Sequence, residues 1–205
     1  MIERVENALQ IAVLLICASV ALARALKYRS RGWTHLVFFY GSLALGDIYW
    51  FVYLLFFGDT PQISVVSDIS WFACYIFLYL LLIRTAPPIK NPGRTVIPWI
   101  GPLFTAASAV FFMLRGEIFL NLIYAGLMGL LMFSSLSRLT RRRSYERQFF
   151  LSFMILVFCL IEYGLWFSSC FFDGDTLANP YYWFDILFTA SFVLFIPATK
   201  KAVTG

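Results

Sequence analysis

The sequence predicts an all-α, polytopic membrane protein. It reads as one domain over residues 1–205, with seven transmembrane helices, the N-terminus outside and the C-terminus inside. Three observations carry that expectation. Charged residues make up 13% of the chain and apolar ones 61%, whereas a soluble domain carries ~25% charge. Apolar runs of about 20 residues recur, the length a helix needs to cross a ~30 Å hydrocarbon core. The cations gather in alternate loops.

Lipid cannot satisfy exposed backbone N–H and C=O groups, so runs of this length cross as helix. The strand alternation of an outer-membrane barrel is absent. The segments are 5–26, 35–57, 65–83, 96–114, 118–136, 149–171 and 181–197. The first resembles a signal peptide in its Ala21-Leu22-Ala23 step. Its leading end, however, carries Glu3, Arg4 and Glu6, and the basic cluster follows it, so it reads as a retained helix.

Arg24, Lys27, Arg29 and Arg31 follow the first segment, and Arg84, Lys90 and Arg94 the third. Arg138, Arg141, Arg142, Arg143 and Arg147 follow the fifth, and Lys200 and Lys201 the seventh. Fourteen of the sixteen cations therefore share one side, leaving Arg4 and Arg115 opposite with Glu3, Glu6, Asp59, Glu117, Asp173 and Asp175. The positive-inside rule makes the basic side cytoplasmic. Pro87, Pro88, Pro92, Gly93 and Pro98 predict an irregular connection into the fourth segment. The Arg115-Gly116-Glu117 turn then makes segments four and five antiparallel neighbours. Pro197 falls near the inner end of the seventh.

Asn7, Arg24 and Ser30 map onto Asn121, Arg138 and Ser144 at an offset of about 114. Asp47 maps onto Glu162, Gly58-Asp59-Thr60 onto Gly174-Asp175-Thr176, and Asp68 onto Asp185, with the offset drifting by single residues. This is the pattern of a parallel 3+1+3 repeat about an axis along the membrane normal. Repeat one spans 5–83, the linker helix 96–114 and repeat two 118–197. Chance alignment of apolar sequence would not pair the acids.

Asp47 and Glu162 fall inside apolar segments with no Lys or Arg beside them. A central Asp costs ~3 kcal/mol to insert, and such residues face the bundle or a wet cavity. Helical spacing puts Asp47 with Trp50, Glu162 with Trp166, and Asp68 with Trp71 and Tyr75 on shared stripes. Asp185 begins a fourth stripe with Phe188. Converging, these eight residues, Asp47, Trp50, Asp68, Trp71, Tyr75, Glu162, Trp166 and Asp185, form an outward-opening acidic and aromatic pocket. Ion pairing and cation–π contact there suit a small cationic or amphiphilic ligand.

Simpler roles stand beside these. Asp68 also fits as a cap of the third helix, and Asp47 and Glu162 as interhelical hydrogen-bond glue to Tyr or Ser hydroxyls. Trp33 and Trp99 read as interfacial anchors, His35 as structural, and the loop acids as solvated. Cys17, Cys74, Cys159 and Cys170 show no metal or CxxC spacing. No metal or cofactor is expected. The net charge of +5 sets topology and touches anionic lipid; it does not indicate nucleic acid. No Ser-His pair, HExxH, P-loop or glycine-rich nucleotide motif is present, and no mid-helix Lys in segment seven could hold retinal.

Gly46, Asp47, Pro61, Ser67, Asp68 and Tyr75 resemble the mid-helix Gly-Asp, outer-loop Pro, Ser/Ala-Asp and following Tyr of a seven-helix sensory module of bacterial signalling proteins. There the module precedes cyclic-nucleotide or kinase output domains. The resemblance implies a sensor in the bacterial cytoplasmic membrane, acting on a cytoplasmic signalling partner at the basic inner loops. Asp47 and Glu162 also resemble the paired Gly-Asp and Ser-Asp acids of lysoplasmalogenase-like membrane hydrolases, although the second step here reads Ile161-Glu162. That family implies an intramembrane hydrolase. The expected function is ligand recognition without chemistry, ahead of proton- or cation-coupled transport and then hydrolysis.

Overall fold

The structure is a computed structural model, and it describes residues 2–58, 61, 65–86, 95–115, 118–141, 145–172, 174 and 176–204. Several of the expected features lie outside these residues. They are the loop acids Asp59, Glu117, Asp173 and Asp175, the proline-rich stretch 87–93, the cations Lys90, Arg94, Arg142 and Arg143, and the repeat partners Thr60 and Ser144.

Among the described residues seven α-helices follow one another: α1 (Ile2–Tyr28), α2 (Arg31–Phe57), α3 (Val65–Thr85), α4 (Ile100–Met113), α5 (Ile118–Leu139), α6 (Glu146–Phe171) and α7 (Pro180–Thr204). Among the described residues there is no strand. All but α4 are long and apolar enough to cross a membrane. Leu15, Ile16 and Leu22 of α1, Leu103 and Val110 of α4, and Leu187 and Val193 of α7 are exposed. Water would not tolerate so continuous an apolar exterior; lipid does. The chain is a multi-pass helical membrane protein.

Local chemistry sets the helix ends. Asn179 precedes α7 and its Oδ1 accepts the Tyr181 N–H at 2.9 Å, while Pro180 takes the first helical position, where no N–H is needed. Gly58 ends α2 at φ 72° and donates to the Leu54 carbonyl, a left-handed cap that favours glycine. Arg115 Nη1 donates to the Cys170 carbonyl at 2.8 Å, and Gln148 Nε2 to that of Thr85 at 2.7 Å. These two bonds satisfy carbonyls at the ends of α6 and α3 that have no partner within the helix.

Two helices depart from expectation. α4 is a 14-residue helix entered through a 3-10 turn, Ile97–Trp99. At 1.5 Å per residue it rises roughly 21 Å, short of the hydrocarbon thickness. It lies tight against α5: a Cβ on Gly101 would sit 2.6 Å from Met132 Cβ, and one on Gly129 2.8 Å from Thr105 Oγ1. Small residues let the two backbones close in this way. α7, in contrast, runs on through Pro197 to Thr204. Proline removes one backbone donor, but packing holds the helix across it, with Phe195, Ala198 and Ala202 buried.

α2 lies between α1 and α3, α5 contacts α3, α4 and α6, and α7 contacts α6, α1 and α2. The interior is aromatic. Phe39 meets Phe158 and Phe195 at centroid separations of 5.7 and 5.2 Å, and Tyr40 Oη donates to the Phe192 carbonyl at 2.6 Å, tying α2 to α7. Trp33 belongs to this interior. It is fully buried, with the Arg24 guanidinium 4.8 Å from its ring centroid, so it is not the interfacial anchor its position suggests. Trp99 is half-exposed and packs edge-on against Phe133 at 5.0 Å.

Candidate functional site

The half of the bundle that holds the N-terminus contains a cavity of about 310 Å³. α1 and α2 supply Gln10, Asp47 and Trp50; α3 and α6 supply Trp71, Glu162 and Trp166; α7 supplies Tyr181 and Asp185. Six of the eight expected residues therefore share one space. Ser169, exposed, lies on its open side. Among the described lining residues there is no Lys or Arg.

Gly46 explains how Asp47 is held. A Cβ there would lie 2.7 Å from Trp71 Nε1, so only glycine lets the indole close on α2. Trp71 Nε1 then donates to Asp47 Oδ1 at 3.2 Å. Asp47 is 7% exposed, and its Oδ2 is buried without a hydrogen-bond partner among the described residues. Glu162 repeats the arrangement. Tyr75 Oη donates to its Oε1 at 2.6 Å, and Oε2 is buried and unpartnered among the described residues. Each acid thus spends one oxygen on an interhelical bond, as the glue reading requires, and keeps a second with no donor there.

Tyr75 consequently does not face the cavity; it holds Glu162. Tyr75→Phe would leave both oxygens of that carboxyl without a donor, a loss of about 1–3 kcal/mol. A lowered melting temperature in detergent checks this, with Tyr79→Phe, a half-buried tyrosine on the same helix, as the control.

Asp68 departs from the expected cluster. It lines a neighbouring cavity of about 300 Å³ with Arg115, Asn121 and Tyr124, and Tyr124 Oη donates to its Oδ1 at 3.3 Å. Trp71, Trp166 and Ser169 border both cavities, so the two adjoin across the tryptophans. Trp50 and Trp71 sit 5.9 Å apart, and Trp166 packs edge-on against Tyr124 at 4.8 Å.

Sequence reasoning misses Gln10, Tyr181 and Glu6. Gln10 is 6% exposed, and a buried amide in an apolar run is a legible signal. Glu6 reaches the Asp185 carboxyl group across the α1–α7 contact; by position alone it counts only as a terminal charge. Cys17, Cys74 and Cys159 are buried, as packing residues should be. The His35 ring meets the Arg31 carbonyl of its own helix, the structural role expected of it. No protein-family model, curated protein or solved structure matches the chain.

Proposed function

We propose that the protein recognises a small organic cation in the Asp47–Glu162–Asp185 cavity and acts as a sensor or receptor-like subunit. One observation carries this reading: three carboxyl groups and three tryptophans line a single space that holds no Lys or Arg among its described residues. Buried carboxylates without counter-charge are costly, and a cation supplies the charge. Indole faces add cation–π attraction, which strengthens on desolvation. The charge pattern of the loops makes the cavity face outward, with the inner basic face left for a cytoplasmic partner. We place the seventh crossing at α4, shortened and carried by α5.

The helix neighbours favour the duplicated 3+1+3 arrangement. Exchanging the triplets turns α1–α2, α2–α3, α1–α7 and α2–α7 into α5–α6, α6–α7, α3–α5 and α3–α6, and all eight pairs are in contact. The two cavities follow the same exchange. Asn7, Gln10 and Asp185 line one, and their counterparts Asn121, Tyr124 and Asp68 the other. Paired halves also suit a transporter that rocks about a central site.

Proteoliposomes separate the two. A sensor binds the cation, as read by ligand-dependent thermal shift, yet accumulates none under a pH gradient. Accumulation that depends on Asp47 assigns transport instead.

A further inference from the structure

We propose that the ligand group seated between Asp47 and Glu162 is a primary ammonium on a short apolar chain, and not a quaternary ammonium. This rests on the cation reading and narrows it. Asp47 Oδ1 and Glu162 Oε1 already accept from Trp71 and Tyr75. Oδ2 and Oε2 are buried with no donor among the described residues. Buried acceptors of this kind are satisfied in nearly all structures. A primary ammonium brings three N–H donors, one for each free oxygen and a third for Asp185 or the Gln10 amide. A quaternary nitrogen brings none. It would fill the space among the indoles and leave both oxygens as they are, so the aromatic lining alone does not select it.

The adjoining cavity shows why the ammonium belongs to the first. There the Asp68 carboxyl already has the Tyr124 hydroxyl, and Arg115 lines the same space. Its repeat counterpart at the Tyr124 position is Gln10, a neutral amide lining the first cavity. Leu43, Leu165 and Phe188 complete an apolar wall, which suits an alkyl substituent. A volume of about 310 Å³ is at the lower end for small-molecule sites, so the chain is short.

The test uses the full chain in lipid nanodiscs and isothermal titration with butylamine, butyltrimethylammonium, butanol and potassium chloride. Butylamine should bind about tenfold or more tightly than butyltrimethylammonium, because only it donates to the free oxygens. Butanol and potassium should not compete with it. Asp47→Asn should weaken butylamine at least tenfold, and Asp68→Asn less than about twofold. Equal affinity for the amine and its trimethyl analogue would overturn the primary-ammonium assignment and leave the cation reading standing. Competition by potassium at equal concentration would overturn it in favour of a bare ion. Binding of neither amine above butanol would overturn both. The ligand series needs no variant, so a misfolded mutant does not block the answer.

Discussion

The double variant Asp47→Asn/Glu162→Gln should lose at least about a hundredfold in cation affinity and still melt no lower than wild type. The first half follows from removing two charge-assisted contacts, each worth about 1.5–3 kcal/mol. The second follows from what the acids cost. Inserting an ionised Asp at a helix centre costs ~3 kcal/mol, and a neutral amide of the same shape avoids most of that. The new amide at position 47 would keep a carbonyl oxygen for the Trp71 N–H, and the one at position 162 would keep its own for the Tyr75 O–H. Sites that serve function at the expense of stability behave in this way. If the acids were only interhelical glue, the amides would keep those two bonds, the melting temperature would again change little, and the amine would shift the melt of the variant as much as that of wild type. Thermal melts with and without amine read both quantities on one sample.

Gly46→Ala should be the most damaging single change near the cavity. Its new Cβ would meet Trp71 Nε1 at 2.7 Å, inside the closest distance that real Cβ atoms show. The indole must move off α2, which breaks its bond to Asp47 and strips that acid of a donor. Overpacking of this kind costs about 1–3 kcal/mol, and a lost bond to a charged group adds to it. Trp71→Phe removes the obstructing N–H edge. Its effect combined with Gly46→Ala should therefore be smaller than the two single effects added, a coupling that a double-mutant cycle measures. Independent, additive losses would show that Gly46 serves some purpose other than admitting Trp71.

Much of the architecture is legible in the sequence because the signals are strong and local. α7 starts at Asn179-Pro180 and α2 stops at Gly58, and α2, α3, α5 and α6 follow the expected segments closely. α4 and α7 differ because proline context is decided by packing. Pro98 opens a turn that shortens α4, whereas Pro197 is absorbed into α7 by the buried residues around it. Asp47 and Glu162 stand out because a charge in an apolar run has few explanations. Asp68 stands out for the same reason, but which cavity it joins depends on the rotation of α3 and on Tyr124, fifty-six residues away in the chain. Gln10 carries no charge and gives a fainter signal. Tyr75 is found by its stripe, but its role, a donor rather than a lining residue, is set by a contact across the bundle. Trp33 looks like an anchor by position, and only the fold shows it enclosed beside Arg24.

The most direct measurement is chemical bridging of positions 47 and 162. In a background with Cys17, Cys74, Cys159 and Cys170 replaced by Ala, an Asp47→Cys/Glu162→Cys chain would be treated with a short bis-thiosulfonate and weighed intact. A shared cavity predicts one reagent molecule spanning both thiols, with no pendant arm. Two separately modified thiols, or a thiol at either position that no reagent reaches, would contradict the account.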